Sequence, residues 1–244
     1  MPNHRTAIVT GGSGGIGSEI CKRLARDRYR VVVHYLNDHE AAETVVREIT
    51  DCGGVASARC ADITEEDAIK HMFDSVLSDF GSLDVLVANA GIGGSCPIEQ
   101  VDLSDFKRLV SVNLVGTFLT LRGAARRLSD CGRLIFISSQ LAERPRMGTG
   151  TYSATKAGID AMLVSMSHEL GARGITVNSV RPGATEPGMF AGSTEERKEL
   201  FRNLSPFKRL GHPNDIAAVV SFLASDDAAW VTGQHIRADG GASN

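Results

Sequence analysis

The sequence predicts an α/β fold: one domain, residues 1–244, holding a doubly wound parallel sheet of seven strands with helices on both faces. Three observations carry that expectation. Short β-branched runs alternate with longer helical stretches along the chain, the rhythm of a helix-crossed parallel sheet. The runs are apolar on both faces, as strands covered from both sides must be. Glycines 11, 12, 14, 15 and 17 crowd the stretch AIVTGGSGGIGSEI, residues 7–20, between the first run and the first helix. Glycine inside regular structure costs about 0.5–1 kcal/mol against alanine. Such density marks a backbone that turns tightly or lets something approach closely.

The elements follow in order. TAIVT at 6–10 feeds the glycine turn, and a helix follows at 17–28. RVVVHY at 30–35 is the second strand. Asn37 and Glu40 have the spacing of a capping box ahead of a helix at 39–51, which the glycines of DCGG at 51–54 stop. VASARC at 55–60 precedes a helix at 65–80, and LDVLVAN at 83–89 precedes a long one at 103–128. RLIFISS at 133–139 leads to a helix at 152–171, and ITVNSV at 175–180 is the sixth strand. A helix at 214–225 and the strand QHIRA at 234–238 close the series. Only 183–213 breaks the rhythm. Lying between two core elements, it reads as an active-site lid and not as a domain boundary. No linker, repeat or low-complexity tract interrupts the chain.

Composition removes several function classes. A chain of 244 residues buries a full core without staples. Net charge is −3 and the pI about 6.2, so there is no basic footprint for nucleic acid and no acidic tail. The start, MPNHRTAIVTGG, has no signal-peptide core, and no apolar run reaches the roughly 20 residues of a membrane span. Five cysteines, irregularly spaced and without Cys-x-x-Cys, fit a reduced cytoplasmic setting. Seven scattered histidines give no support to a metal site.

The glycines fall at the first strand-to-helix turn, where N–H groups at a helix start can hold a dinucleotide pyrophosphate. Two registers fit: Gly12-x-Gly14-x-x-Gly17 and Gly11-x-x-x-Gly15-x-Gly17. No Gly-Lys-Ser/Thr follows, which argues against a P-loop. Tyr152 and Lys156 are four apart and share a helix face. A tyrosine of ordinary pKa near 10 is a poor acid or base at neutral pH; an adjacent ammonium would lower it towards the working range. Ser139 ends the fifth strand, where ligands sit in open α/β sheets, with Ser138 a rival until the register is fixed. Asn113 sits in the apolar helical run VSVNLVGTFL, where asparagine is unfavourable; a bond to a carbonyl or a water and a satisfied core polar group both explain it. ANAG at 88–91 would bring Asn89 and the Gly91 backbone near a bound cofactor.

These pieces together resemble the short-chain dehydrogenase/reductase family, along essentially the whole chain. The family's Thr-Gly-x-x-x-Gly-x-Gly appears as Thr10 to Gly17, its Asn-Asn-Ala-Gly as ANAG with Ala88 replacing the first asparagine, and its Tyr-x-x-x-Lys as Tyr152 to Lys156. Its serine, thirteen residues before the tyrosine, falls on Ser139, its helix asparagine on Asn113, and its Pro-Gly on Pro182-Gly183. The resemblance implies a Rossmann-type fold. It makes Tyr152 the proton donor to a ketone, Lys156 its tuner and ribose ligand, Ser139 the carbonyl polariser, and Asn113 the holder of a water. Asp62 would contact the adenine and Thr185 the nicotinamide amide. The implied cofactor surface comprises Gly11, Ser13, Gly14, Gly15, Ile16, Gly17, Tyr35, Asn37, Asp62, Ile63, Asn89, Ala90, Gly91, Tyr152, Lys156, Pro182, Gly183 and Thr185. Tyr35 stands where an NAD site keeps its carboxylate, so NADP(H) is expected over NAD(H). Asp38 reads as part of the first turn of the next helix, and His34, Asn37 and turn N–H groups are left as donors.

GAARRLSDCGRLIFISS and VTGQHIRADGG look like ketoreductases near polyhydroxynaphthalene reductase, with 3-oxoacyl-acyl-carrier-protein reductases the next branch. The latter dock an acidic carrier on two arginines. Arg173 matches one, but Asp130 stands at the other with the wrong charge. Residues 140–149 and 183–205 should line the substrate pocket, with Met147, Met189, Phe190, Phe201 and Leu204 as an apolar wall. Arg144 and Arg146 read as exposed loop arginines before anion ligands. By analogy the protein is a homotetramer built through the helices at 103–128 and 152–171, where Ile159, Met162, Leu163, Met166 and Leu170 form an apolar stripe. An idle dinucleotide-binding regulator and a sugar-nucleotide epimerase are the rival readings; the first lacks the Tyr/Lys pair, the second needs an extra domain.

Overall fold

The computed structural model describes residues 5–188, 190 and 192–243. Seven parallel strands, β1 (Thr6–Val9), β2 (Arg30–Tyr35), β3 (Val55–Cys60), β4 (Val85–Ala88), β5 (Arg133–Ile137), β6 (Thr176–Pro182) and β7 (His235–Ala238), lie in the order 3-2-1-4-5-6-7. The alternation of side chains explains why the inner strands are apolar on both faces; the edge strands β3 (VASARC) and β7 (HIRA) are only partly covered and carry polar residues, which corrects the expectation for them. Ala7, Val9, Val31, Val33, Val85 and Val87 point to one core, and Ile8, Val32, Leu86, Leu134 and Phe136 to the other. The first core is closed by α1 (Gly15–Arg26), α2 (His39–Asp51) and α8 (Pro213–Ala224). The second is closed by α3 (Glu66–Phe80), α5 (Thr117–Ala125) and α6 (Gly150–Leu170). β1 pairs with both β2 and β4, Ile8 standing opposite Val32 and Leu86. The chain direction of build-up reverses there, and the strand ends open a crevice.

Several boundaries differ from the sequence expectation, each for a local reason. The cap of α2 is Asp38, whose Oδ1 accepts from the Ala41 N–H at 2.9 Å; Asn37 lies one residue too early for that bond, so the capping box is corrected. Asp38 therefore precedes the helix and is not in its first turn. The long helix begins as α4 (Leu103–Val110), widens into a π stretch at Ser111–Gly116, and resumes as α5, ending before 128. β5 stops at Ile137, leaving Ser138 and Ser139 beyond the strand. The 183–213 segment carries a helix of its own, α7 (Glu195–Leu204), and its two ends are fastened together. Gly211 donates to Ala184 at 2.9 Å and accepts from Glu186 at 3.0 Å. Among the described residues no helix is long and apolar enough to cross a membrane.

Candidate active site

The glycine turn adopts one of the two registers. Gly11 and Gly15 have φ of +62° and +52°, a region residues with a Cβ rarely enter. A Cβ on Gly17 would lie 2.1 Å from the Gly11 carbonyl oxygen, so only glycine lets α1 close onto the turn. Gly14 meets nothing within 4 Å. It caps α1 without any side-chain bond, and no acidic residue occupies the first turn. The first N–H groups of α1 are thus left without a side-chain cap, the requirement of a pyrophosphate site.

Residues far apart in sequence hold this turn. Asn89 Nδ2 donates to the Thr10 and Gly11 carbonyls, both at 3.0 Å, and Thr10 Oγ1 accepts from the Asn89 and Ala90 N–H groups. His34 is the larger surprise. Its Nδ1 accepts from the Gly11 N–H at 3.1 Å and its Nε2 donates to the Ala61 carbonyl at 2.9 Å. Both ring nitrogens are spent and the residue is 2% exposed, so the expectation of His34 as a phosphate donor is corrected. Burial lowers its pKa, which keeps the neutral ring that this pairing needs.

A cavity of about 680 Å³ opens from the turn. Of the expected residues, Gly11, Gly14, Gly15, Ile16, Asn89, Ala90, Gly91, Ser139, Tyr152, Lys156, Pro182, Gly183 and Thr185 line it. Ser13, Gly17, Tyr35, Asn37, Asp62 and Ile63 do not. Asp62 instead builds a turn, accepting from the Thr64 N–H at 2.8 Å and Thr64 hydroxyl at 2.7 Å. Ile63 is buried against Gly116. The Tyr35 ring lies 5.4 Å from that of His39.

The end of β5 separates the two serines. Ser138 Oγ donates to Asp160 Oδ2 at 3.0 Å inside the core. Ser139 caps the turn after β5, accepting from the Leu141 N–H at 3.1 Å, and its hydroxyl lies close enough to Tyr152 to lower that phenol's pKa. Tyr152 lies in the first turn of α6. Lys156, one turn on, is buried, donates to the Ile137 carbonyl at 2.8 Å, and sits 4.6 Å from the Phe136 ring centre and 5.8 Å from that of Tyr152. Burial pushes the Tyr152 phenol up to about 12, against the Ser139 bond. Burial pulls Lys156 down to about 8, while the Asp160 charge raises it. The expected lowering of the tyrosine is therefore corrected: in the protein alone, loss of water raises the phenol by more than the Ser139 hydroxyl lowers it. Asn113 sits in the π stretch behind the cavity, not in its lining. Its amide grips both polar groups of Ile92, accepting from the N–H and donating to the carbonyl at 2.8 Å each.

The substrate wall is only partly as expected. Phe190 and Phe201 line the cavity; Met147 is 95% exposed and Leu204 36% exposed, neither lining it, and Met189 lies outside the described residues. Arg144 is exposed, whereas the half-buried Arg146 lays its guanidinium 4.9 Å from the Phe201 ring centre. Arg197, in α7, lines the cavity and was not foreseen, because that segment shows no apolar period to place it. Arg173 bonds Asp130 Oδ1 at 2.9 Å and the carbonyls of Ala125 and Leu128.

Known proteins are similar to this chain along nearly all of its length. A family model described as enoyl-(acyl carrier protein) reductase matches residues 11–243. The versicolorin reductase stcU of Emericella nidulans is 39% identical over 253 residues, 98% of this chain and 95% of that one. The 3-oxoacyl-acyl-carrier-protein reductase FabG of Staphylococcus aureus is 39% identical over 243 residues, 99% of each. The solved structure of the angucycline C-6 ketoreductase LanV with bound NADP superposes with a TM-score of 0.93 at 36% identity, covering 98% of this chain and 95% of that one. With seven parallel strands, the glycine turn and the Ser-Tyr-Lys grouping spanned by matches of this length, the chain belongs to the short-chain dehydrogenase/reductase family and is an oxidoreductase.

Proposed function

We propose that the protein reduces a ketone to a secondary alcohol with NADPH. The observation that carries this reading is the convergence of Ser139, Tyr152 and Lys156 in one cavity with the open glycine turn. LanV holds NADP, and the uncapped start of α1 fits the same pyrophosphate. Gly11, Gly14, Gly15 and Ile16 would hold that part, and Pro182, Gly183, Thr185 and Asn89 to Gly91 the nicotinamide half. Asp62, Ile63, Tyr35 and Asn37 are left for the adenosine end, outside the cavity. The cofactor supplies a hydride to the carbonyl carbon.

The chain's own residues deliver the proton. Ser139 Oγ and Tyr152 Oη, which line one cavity, can each turn a hydroxyl proton toward a carbonyl oxygen. A phenol held near 12 keeps its proton at neutral pH, so Tyr152 enters as a donor and gives that proton to the oxygen as negative charge develops. Lys156 stabilises the phenolate left behind. Asn113 fixes the Gly91–Ile92 backbone beneath the site. Tyr152→Phe is expected to retain the fold and to lower turnover by roughly 10²–10⁴, measured as NADPH oxidation at 340 nm across a ketone panel. Turnover near wild type would sink this mechanism.

NADPH is preferred over NADH by about 10-fold, or about 1.4 kcal/mol. No carboxylate occurs at 30–37 to repel a 2′-phosphate, and with His34 committed, Asn37 and backbone N–H groups remain as donors. Comparing kcat/KM for both cofactors with one ketone tests this; parity refutes it, and Tyr35→Asp should reverse the order. Reduction of a carrier-bound 3-oxoacyl group is the second reading, favoured by the FabG match across 99% of both chains. Arg173, tied to Asp130, weighs against docking an acidic carrier there.

A further inference from the structure

The far wall of the same cavity points to the kind of ketone, an inference that rests on the reductase reading. Phe190 and Phe201 meet edge-on, ring centres 4.9 Å apart. Two guanidiniums converge on them from separate elements. Arg197, in the first turn of α7, lies 5.7 Å from the Phe190 centre and 5.9 Å from that of Phe201. Arg146, from the loop that follows Ser139, lies 4.9 Å from the Phe201 centre. Stacking on a ring face explains where these groups rest, but it does not neutralise them.

Their neighbours are neutralised. Arg202 pairs with Glu195 and Glu199, Lys198 with Glu186, and Arg181 with Glu143. Arg146 and Arg197 form no ion pair among the described residues. The described residues lining the cavity include Lys156 and Arg197 and no carboxylate. Two like charges brought to one aromatic wall repel each other until an anion joins them; Arg197 is exposed and Arg146 half-buried, so an anion arriving from solvent can reach both. Arginine's flat fork matches a carboxylate in two parallel bonds. Phe190, Phe201 and Arg197 share the cavity with Ser139 and Tyr152, and Arg146, outside that lining, reaches it through the Phe201 ring.

We propose that Arg197 and Arg146 form an anion subsite, and that the substrate is a flat, apolar ketone carrying a carboxylate remote from the reacting carbonyl. Phe190 and Phe201 take the apolar body, and the two arginines take the carboxylate.

The test uses aromatic keto acids of graded length, each paired with its methyl ester. Binding to the NADP⁺-saturated protein is measured by calorimetry, and reduction separately at 340 nm. The best acid should bind at least about 10-fold tighter than its ester, the effect of a charge-assisted bond. Raising salt should shrink the gap. Arg197→Leu should cut the preference, Arg146→Leu/Arg197→Leu should abolish it, and Arg197→Lys should restore part of it. Acids that bind no tighter than esters in the whole protein, or a preference that survives the double variant, overturn the proposal. So does a rise in the NADP⁺ dissociation constant with no change for the acids, which would assign the arginines to the cofactor. Esters reduced without any acid preference would overturn the subsite and leave the reductase reading standing. Acid preference in binding with no ketone reduced would uphold the subsite and overturn the reductase reading.

Discussion

Lys156 is the residue whose environment most narrows what the site can do. Buried, and donating to a carbonyl of β5, it is held near 8 against its ordinary 10.5. The charge on Asp160, a further turn along α6, is what opposes this fall. Asp160 is itself buried between Ser138 and Arg181, with Arg181 bonded on its far side to Glu143 and His235 Nδ1 3.7 Å away. If the charged lysine stabilises the Tyr152 phenolate, kcat/KM for reduction should fall as pH rises through about 8, since that ratio reports groups of the free enzyme. Asp160→Asn removes the charge that raises Lys156 and frees Arg181 to repel it, so the falling limb should move to lower pH. A limb unchanged in Asp160→Asn would show that Lys156 does not set it. The direction cannot be reversed by fold loss alone, because a damaged fold lowers the plateau and does not relocate the limb.

At the scale of elements, the glycine turn and the helix after it show what can be read from a chain and what cannot. The strands were legible because burial on both faces forces apolar, β-branched runs, as in RVVVHY for β2. The Tyr152–Lys156 face was legible because helical spacing is local. The choice between Ser138 and Ser139 needed the partner of each hydroxyl, Asp160 in one case and Tyr152 in the other, and these are distant in sequence. The His34 clamp on Gly11 spans 23 residues, and no local pattern announces it. The π stretch around Asn113 left no mark in VSVNLVGTFL that an ordinary helix would not. The two glycine roles, by contrast, make a sharp paired prediction. Gly17→Ala would place a methyl 2.1 Å from a backbone oxygen, and backbone cannot move aside as a side chain tip can. A loss of about 1–3 kcal/mol or more is expected, read as a lower midpoint in denaturant. Gly14→Ala has extended backbone at φ −156° and open space, so its stability should stay near wild type while its NADP⁺ affinity falls, because the added methyl lies where a pyrophosphate would approach α1. Equal stability of the two variants would contradict the packing role given to Gly17.

At the scale of the whole molecule, the helical layer over the second core has an outer face with no cover. On α6, Ile159 and Leu163 are fully buried against the sheet, while Met162 and Val164 are exposed; the stripe expected from the sequence thus divides between the sheet and solvent. Alongside it, Leu103, Phe106, Val115 and Phe118 are exposed on the α4–π–α5 helix. Exposed apolar side chains therefore stand on two helices that touch one another, with Met162 and Val164 on opposite flanks of α6, and apolar surface of this kind marks sites of association. A closed two-fold pairing, in which each copy offers the same patch, would cover it. A further surface is needed to join two such pairs, and Trp230, 99% exposed in the connection to the edge strand β7, is available for it. The protein is therefore expected to be a homotetramer in solution, with a light-scattering mass about four times the 26.0 kDa of one chain. Phe118→Glu puts a charge in the middle of the helical patch, where pairing would have to strip its water, so it should reduce the mass to that of a dimer or a monomer. Because Phe118 points away from the second core, thermal unfolding of the separated variant should remain cooperative. A wild-type mass equal to one chain at micromolar concentration would refute the assembly, and a tetramer that persists in Phe118→Glu would move the interface off these helices.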